Sequence, residues 1–223
     1  MKNVFFIALL TITLSSCVKE RPTDVGPDSI WTHYQLDFNQ EDSVTTAKVT
    51  TRFEENFGVK IQLHDQTSLT FNGETLQWDP LEDWYILEID SFIGSGEFKY
   101  IDIDARTFVN NVEILTANFP AELDTISRFT SYELEWGGPP IMADDNIIVT
   151  MSSLENSTIM QYFENAETAT QVHMNIDFLQ QFPNGHSRWE MQRRGVNSIV
   201  ESPAAGGLIE WTYVPEDVVV YLE

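Results

Sequence analysis

From Trp31 to the C-terminus, apolar and polar residues repeatedly alternate with a period of two, and turn residues interrupt them at short intervals. A strand shows successive side chains to opposite faces, so this pattern fits half-buried strands and not amphipathic helices. Tyr34, Leu36 and Phe38 alternate with Gln35 and Asp37; Val172, Met174, Ile176 and Phe178 alternate with His173, Asn175 and Asp177. Ser43 to Phe53, rich in Val and Thr, and Val59, Ile61 and Leu63 read as further strands, as do Tyr85 to Ile89, Phe98 to Ile103 and Thr107 to Leu115. Asn72-Gly73 between two such runs predicts a two-residue hairpin turn, because both residues tolerate positive φ. The best helical candidate is Asp177 to Phe182, a single turn.

The alternation lapses over Thr116 to Arg128, around Asn118-Phe119-Pro120, and then resumes with Tyr132, Leu134 and Trp136. Gly137-Gly138-Pro139-Pro140 stops that strand, and Pro183-Asn184-Gly185 and Gly206-Gly207 punctuate the rest. Many short strands with turns between them predict an all-β chain of antiparallel sandwiches or barrels. The lapse divides it into an N-terminal β-sandwich domain, residues 30–117, and a C-terminal one, residues 118–223. In strand number and turn placement the two halves resemble tandem bacterial immunoglobulin-like domains, although the Cys-Trp-Cys signature of true immunoglobulin domains is missing. One larger β-sandwich is the alternative.

The first residues obey a different logic. Lys2 gives a positive start, Val4 to Leu14 is apolar apart from Thr11 and Thr13, and Leu14-Ser15-Ser16-Cys17 follows. This is the layout of a secretory signal, too short for a stable membrane span. Leu14-Ser15-Ser16-Cys17 resembles the lipobox of bacterial lipoproteins. The resemblance implies a signal peptide over residues 1–16, lipid attachment at Cys17, and an address in the cell envelope as an outer-membrane lipoprotein. Lys19-Glu20 leaves open whether it is surface-exposed or periplasm-facing. Cys17 is the only cysteine in the chain, so no disulfide within it is expected. Residues 17–29 carry prolines, a glycine and charges, and read as a lipidated flexible tether.

The formal net charge is −23, with 35 acidic residues against 12 Lys and Arg, spread along the whole chain. A dispersed acidic surface repels phosphate backbones, so nucleic acid is not an expected partner. The acidity fits adaptation to salt or, alternatively, binding of divalent cations.

Motifs that would carry chemistry are few. Asp102-Ile103-Asp104 would place two carboxylates on one side of a strand, making Asp102 and Asp104 the candidates for a metal such as Ca²⁺; the competing reading is a solvated face neutralised by Arg106. Asp144-Asp145-Asn146 reads as an acidic turn. His33, His64, His173 and His186 lack the spacing of a zinc motif. There is no Gly-x-Ser-x-Gly elbow, and no thiol beyond Cys17. No catalytic residue is therefore assigned and no cofactor is expected. Trp78 and Trp84 flank the acidic loop Asp79-Pro80-Leu81-Glu82-Asp83 and are the candidates for ligand binding, with core packing as the competing role. Arg193-Arg194 is an isolated basic pair that either neutralises local acids or marks a contact. The function expected from this set is that of a binding or interaction protein for a glycan, a peptide or another envelope protein. The alternatives are a structural accessory lipoprotein of an envelope assembly and a glycan-active enzyme.

Overall fold

The computed structural model describes residues 25–223. The expected signal segment 1–16, Cys17 and residues 18–24 of the expected tether lie outside the described residues; the rest of that tether includes a 3-10 turn, Pro27–Ser29.

The chain is all-β. Its strands in order are β1 (Ile30–Asn39), β2 (Val44–Phe53), β3 (Ser68–Phe71), β4 (Glu74–Thr75), β5 (Gln77–Asp79), β6 (Trp84–Ile89), β7 (Ser95–Ile101) and β8 (Thr107–Glu113). There follow β9 (Thr125–Ile126), β10 (Tyr132–Glu135), β11 (Asp145–Ser153), β12 (Ile159–Glu164), β13 (Gln171–Met174), β14 (Gly185–Asn197), β15 (Gly207–Val214) and β16 (Val218–Leu222). One helical turn, α1 (Ile176–Leu179), is capped by Asn175, whose side chain accepts from the Asp177 N–H.

One ten-stranded sheet runs through both halves in the order β12-β11-β14-β15-β1-β2-β6-β5, with β16 and β9 attached beside β14. A four-stranded sheet, β4-β3-β7-β8, covers one part of it, and the hairpin-like pair β10-β13 lies over the other. Two cores result. Tyr34, Leu36, Val49, Phe71, Phe98 and Trp211 belong to the first; Leu134, Val149, Met174, Trp189, Met191 and Leu222 belong to the second. The inward residues of β1, β11 and β15 are mostly those the alternation marks as apolar, whereas β2 also buries Thr45, Thr50 and Thr51 and β14 buries Ser187 and Arg193.

Two strands knit the halves together. β15 pairs in parallel with β1, Leu36 opposite Trp211, so a late strand contributes Ile209, Trp211 and Tyr213 to the first core. The 13-residue β14 pairs with β16 through Gly185–Trp189 and with β15 through Arg193–Asn197. At Gly195, opposite Trp211, an added Cβ would stand 2.5 Å from the indole ring, so this close approach requires glycine.

Several local expectations hold and others shift. Asn72-Gly73 forms the β3–β4 turn with φ of 50° and 85°. After Leu76, which is buried, the strand crosses sheets: β4 pairs with β3, whereas β5 pairs with β6. The stretch Val59 to Leu63 is not a strand; it holds only a single bridge from Lys60 to Arg52. Likewise β7 ends at Ile101, and Asp102 to Arg106 is a turn, with Ala105 at φ 60°.

Candidate binding surface

The side chains of the ten-stranded sheet that point away from the cores form one polar face. In register across the strands, Gln35 lies between Lys48 of β2 and Glu210 of β15, and Asp37 lies between Thr46 and Thr212. Arg194 of β14 is opposite Thr212 on one side and Asn146 of β11 on the other; Gln192 is opposite Ile148. The face holds three adjoining depressions of about 360, 800 and 430 Å³, and Gln192 lines all three. Gln35 and Thr212 join the second to the third; Asn39 and Val214 join the first to the second.

The lining is dominated by amides and hydroxyls, which both donate and accept hydrogen bonds to a polar ligand, and by carboxylates, which accept them. Some charges are already matched. Lys48 Nζ donates to Asp37 at 3.2 Å, and Arg194 Nε reaches Asn146 Oδ1 at 3.3 Å. His33 Nε2 lies 2.8 Å from Glu210; burial pulls the imidazole below its ordinary pKa, against the opposing pull of that carboxylate. In the first depression Glu190 and Asp217 line the same wall. Burial, reinforced by the charge of Glu190, raises the Asp217 carboxyl above its usual range, with Arg188 acting the other way from 3.8 Å.

The two tryptophans do not meet. Trp78 is paired with Tyr85 and packs against that ring at 4.9 Å on the core side of the β5–β6 hairpin. Trp84 lies one residue away and points to the opposite side. The ammonium groups of Lys48 and Lys60 lie 5.3 and 5.4 Å from its ring centroid. Trp84 therefore borders the polar face as an aromatic partner of two lysines, and its π-surface is engaged by cations.

Asp102 and Asp104 are also separated in role. Asp102 is 1% exposed. Its carboxylate accepts from the backbone N–H of Asp104 at 3.0 Å, the N–H of Arg106 at 2.9 Å and the Arg106 guanidinium at 2.7 Å. Asp104 is exposed. The expected strand that would align both carboxylates is thus a turn capped by one of them, and Arg106 continues to Asp28 at 2.7 Å. Among the described residues, no three His, Cys, Asp or Glu side chains form a metal-binding group.

Asp144 occupies a turn at φ 59°, whereas Asp145 begins β11 and is buried against Arg193. Arg193 is fully buried, and its guanidinium also donates to the carbonyls of Thr116, Pro139 and Pro140 at 2.9, 2.7 and 2.8 Å. The basic pair is divided by the pleat: Arg193 turns inward to the junction between the cores, and Arg194 outward to the polar face. The histidines are dispersed. His64 Nδ1 accepts from Gln66 N–H, His173 pairs with Glu133 across β10–β13, and His186 meets the edge of Tyr221.

The residues that make the polar face, Gln35, Gln192 and Thr212 above all, were not singled out by sequence reasoning. Alternation identifies them as outward-pointing. What brings them side by side is the parallel pairing of β1 with β15, strands more than 160 residues apart, and no local motif signals it.

No protein-family model matches the sequence, and neither does any curated protein. Among solved structures, the FN1-FN3 domains of chicken CNTN1 match at 10% identity and a TM-score of 0.26, over 84% of this chain and 63% of that one. The chain thus spans less than two thirds of that structure's length.

Proposed function

We propose that this chain is a lipid-anchored binding protein of the cell envelope, held by Cys17, whose exposed sheet face takes up an extended polar ligand, a glycan or a peptide segment. The observation that carries this reading is the continuity of the three depressions from β12 to β6, across seven strands, with Gln192 common to all of them. A hollow lined by amides and hydroxyls offers paired donors and acceptors along a chain-like ligand. The net charge of −23 disfavours polyanionic ligands.

The test uses the full chain in two parts. Cys17→Ala abolishes sedimentation with membranes; a mutant that still sediments refutes the anchor. Binding of the lipidated protein to an array of neutral, basic and acidic glycans and peptides is then compared with that of the triple variant Gln35→Ala, Gln192→Ala, Thr212→Ala. Loss of about 1 kcal/mol per removed hydrogen bond predicts binding weakened by at least tenfold. Equal binding by both proteins sinks the assignment of the face.

A second reading, a glycan-active enzyme, is favoured by one observation: Glu190 and Asp217 line one depression, where burial and the charge of Glu190 raise the Asp217 carboxyl above its usual range. Reducing ends released by the wild type and not by Asp217→Asn are its signature.

A further inference from the structure

The end of the first sandwich at which the described chain begins carries the three most exposed large hydrophobic residues among those described: Phe57 and Leu81, each 91% exposed, and Val200, 83% exposed. Single exposed apolar residues are ordinary on protein surfaces. Their placement here is not random over the molecule. β1 starts, β2 ends, β6 starts, β14 ends and β15 starts at this one end, as the registers Ile30↔Phe53, Val49↔Tyr85, Thr32↔Gly207 and Asn197↔Ile209 require.

Hydrogen bonds then tie the connecting loops to the entering chain. Glu54 N–H donates to the Ser29 carbonyl at 2.7 Å, fixing the loop that carries Phe57. Ala205 N–H donates to the Asp28 carbonyl at 2.9 Å, fixing the loop that carries Val200. Lys60 Nζ donates to the Glu82 carbonyl at 2.7 Å, joining the loop that carries Leu81 to the one that carries Phe57. Half-exposed Ile103 belongs to the same end, beside Val25 and Pro27.

The geometry points to this end as a membrane-facing surface whose apolar loop tips, Phe57, Leu81 and Val200, enter the interface of the bilayer that holds Cys17. The inference rests on the lipid anchor proposed above. The occupant follows from the short spacing between the proposed anchor and the first described residue: eight residue steps separate Cys17 from Val25, a reach of at most about 29 Å even when fully extended. A protein tethered that closely presents the tethered end first, and apolar tips at that end gain by leaving water. Glu54, Glu55, Glu82 and Asp83 stand in the same loops, so the favoured partner is an uncharged, zwitterionic lipid surface and not an anionic one. Contact at this end leaves the polar sheet face standing away from the bilayer edge-on, open to ligand.

The experiment uses the full lipidated chain in phosphatidylcholine vesicles containing a spin-labelled lipid quencher. A polarity-sensitive fluorophore is placed on Leu81→Cys and, as the control, on Leu154→Cys, an exposed leucine in the β11–β12 turn at the far end of the sheet. An acylated Cys17 does not react, so each variant takes one label. The expected result is blue-shifted, quenched emission at position 81 and water-like, unquenched emission at 154. Adding Phe57→Ser and Val200→Ser, both at exposed sites, reduces the quenching at 81. Water-like emission at both positions from protein held on the vesicles overturns this inference and leaves the anchor standing. Quenching at both overturns the assignment to one end. A chain that remains in solution with Cys17 open to labelling overturns the anchor and this inference together.

Discussion

Replacement of Arg193 by methionine tests the junction between the two cores. The guanidinium is fully buried and contacts Asp145 through Nε, at 3.2 and 3.1 Å from the two carboxylate oxygens, and through Nη2. It also holds the carbonyls of Thr116, Pro139 and Pro140. Methionine fills a similar length and donates nothing. Removing one partner of a buried ion pair costs about 3–5 kcal/mol, because the other charge stays buried and unpaired. Stranding the Thr116 and Pro140 carbonyls adds to this, each bond to a charged donor being worth about 1.5–3 kcal/mol before relaxation and water entry reduce it, while the Pro139 carbonyl keeps the Trp136 indole. A loss of at least about 5 kcal/mol is expected, comparable to the whole stability of many domains. Urea unfolding of the full chain, followed by tryptophan fluorescence, measures it; Trp136, whose indole donates to the same Pro139 carbonyl at 3.1 Å, reports locally. Asp145→Leu alone also destabilises, and the double variant is less destabilised than the sum of the two, since no lone charge remains. A cost below about 1 kcal/mol for Arg193→Met, or strict additivity in the double variant, refutes the argument that this pair locks the junction.

Two further outcomes follow from buried groups. Burial pushes the Tyr34, Tyr85 and Tyr162 phenols up to about 12, while an unfolded tyrosine titrates near 10. Their folded values are raised, so their contribution to stability is complete below about pH 10 and is lost as pH rises through about 12; phenolate absorbance and circular dichroism should change together in that window. Full ionisation of these tyrosines near pH 10 with the fold intact would contradict the burial argument. Asp102 spends its carboxylate on the 102–106 turn and Arg106, so Asp102→Ala should lower stability by about 1–3 kcal/mol, and added Ca²⁺ should leave the melting temperature of the wild type unchanged. A calcium-dependent rise that disappears in the variant would restore the cation site.

Much of the local structure is legible in the chain. Period-two alternation marks which residues of β1, β11 and β14 face a core, because a pleated strand has no other way to sort its side chains. Asn72-Gly73 specifies its turn, because positive φ at both positions suits few residue pairs. Where local reading fails, a distant partner decides. Val59 to Leu63 alternates like a strand yet has one bridge, because it meets only the last residues of β2, through Phe53 N–H to the Val59 carbonyl and Ile61 N–H to the Thr51 carbonyl. Asp102-Ile103-Asp104 alternates too, but its first carboxylate satisfies three donors by turning the chain.

The same division holds for the sites. Sequence alone determined an all-β chain with one cysteine, a strongly acidic surface and a set of outward polar residues, because composition and side-chain period are local properties. Tertiary structure decided which of those residues became neighbours. It set Trp78 and Trp84 on opposite sides of a hairpin, sent Arg193 inward and Arg194 outward, and joined β1 to β15 so that Gln35, Thr212 and Gln192 share one hollow. Strand pairing is a long-range choice made by the burial of whole faces, and a residue's own neighbours in sequence carry no record of it.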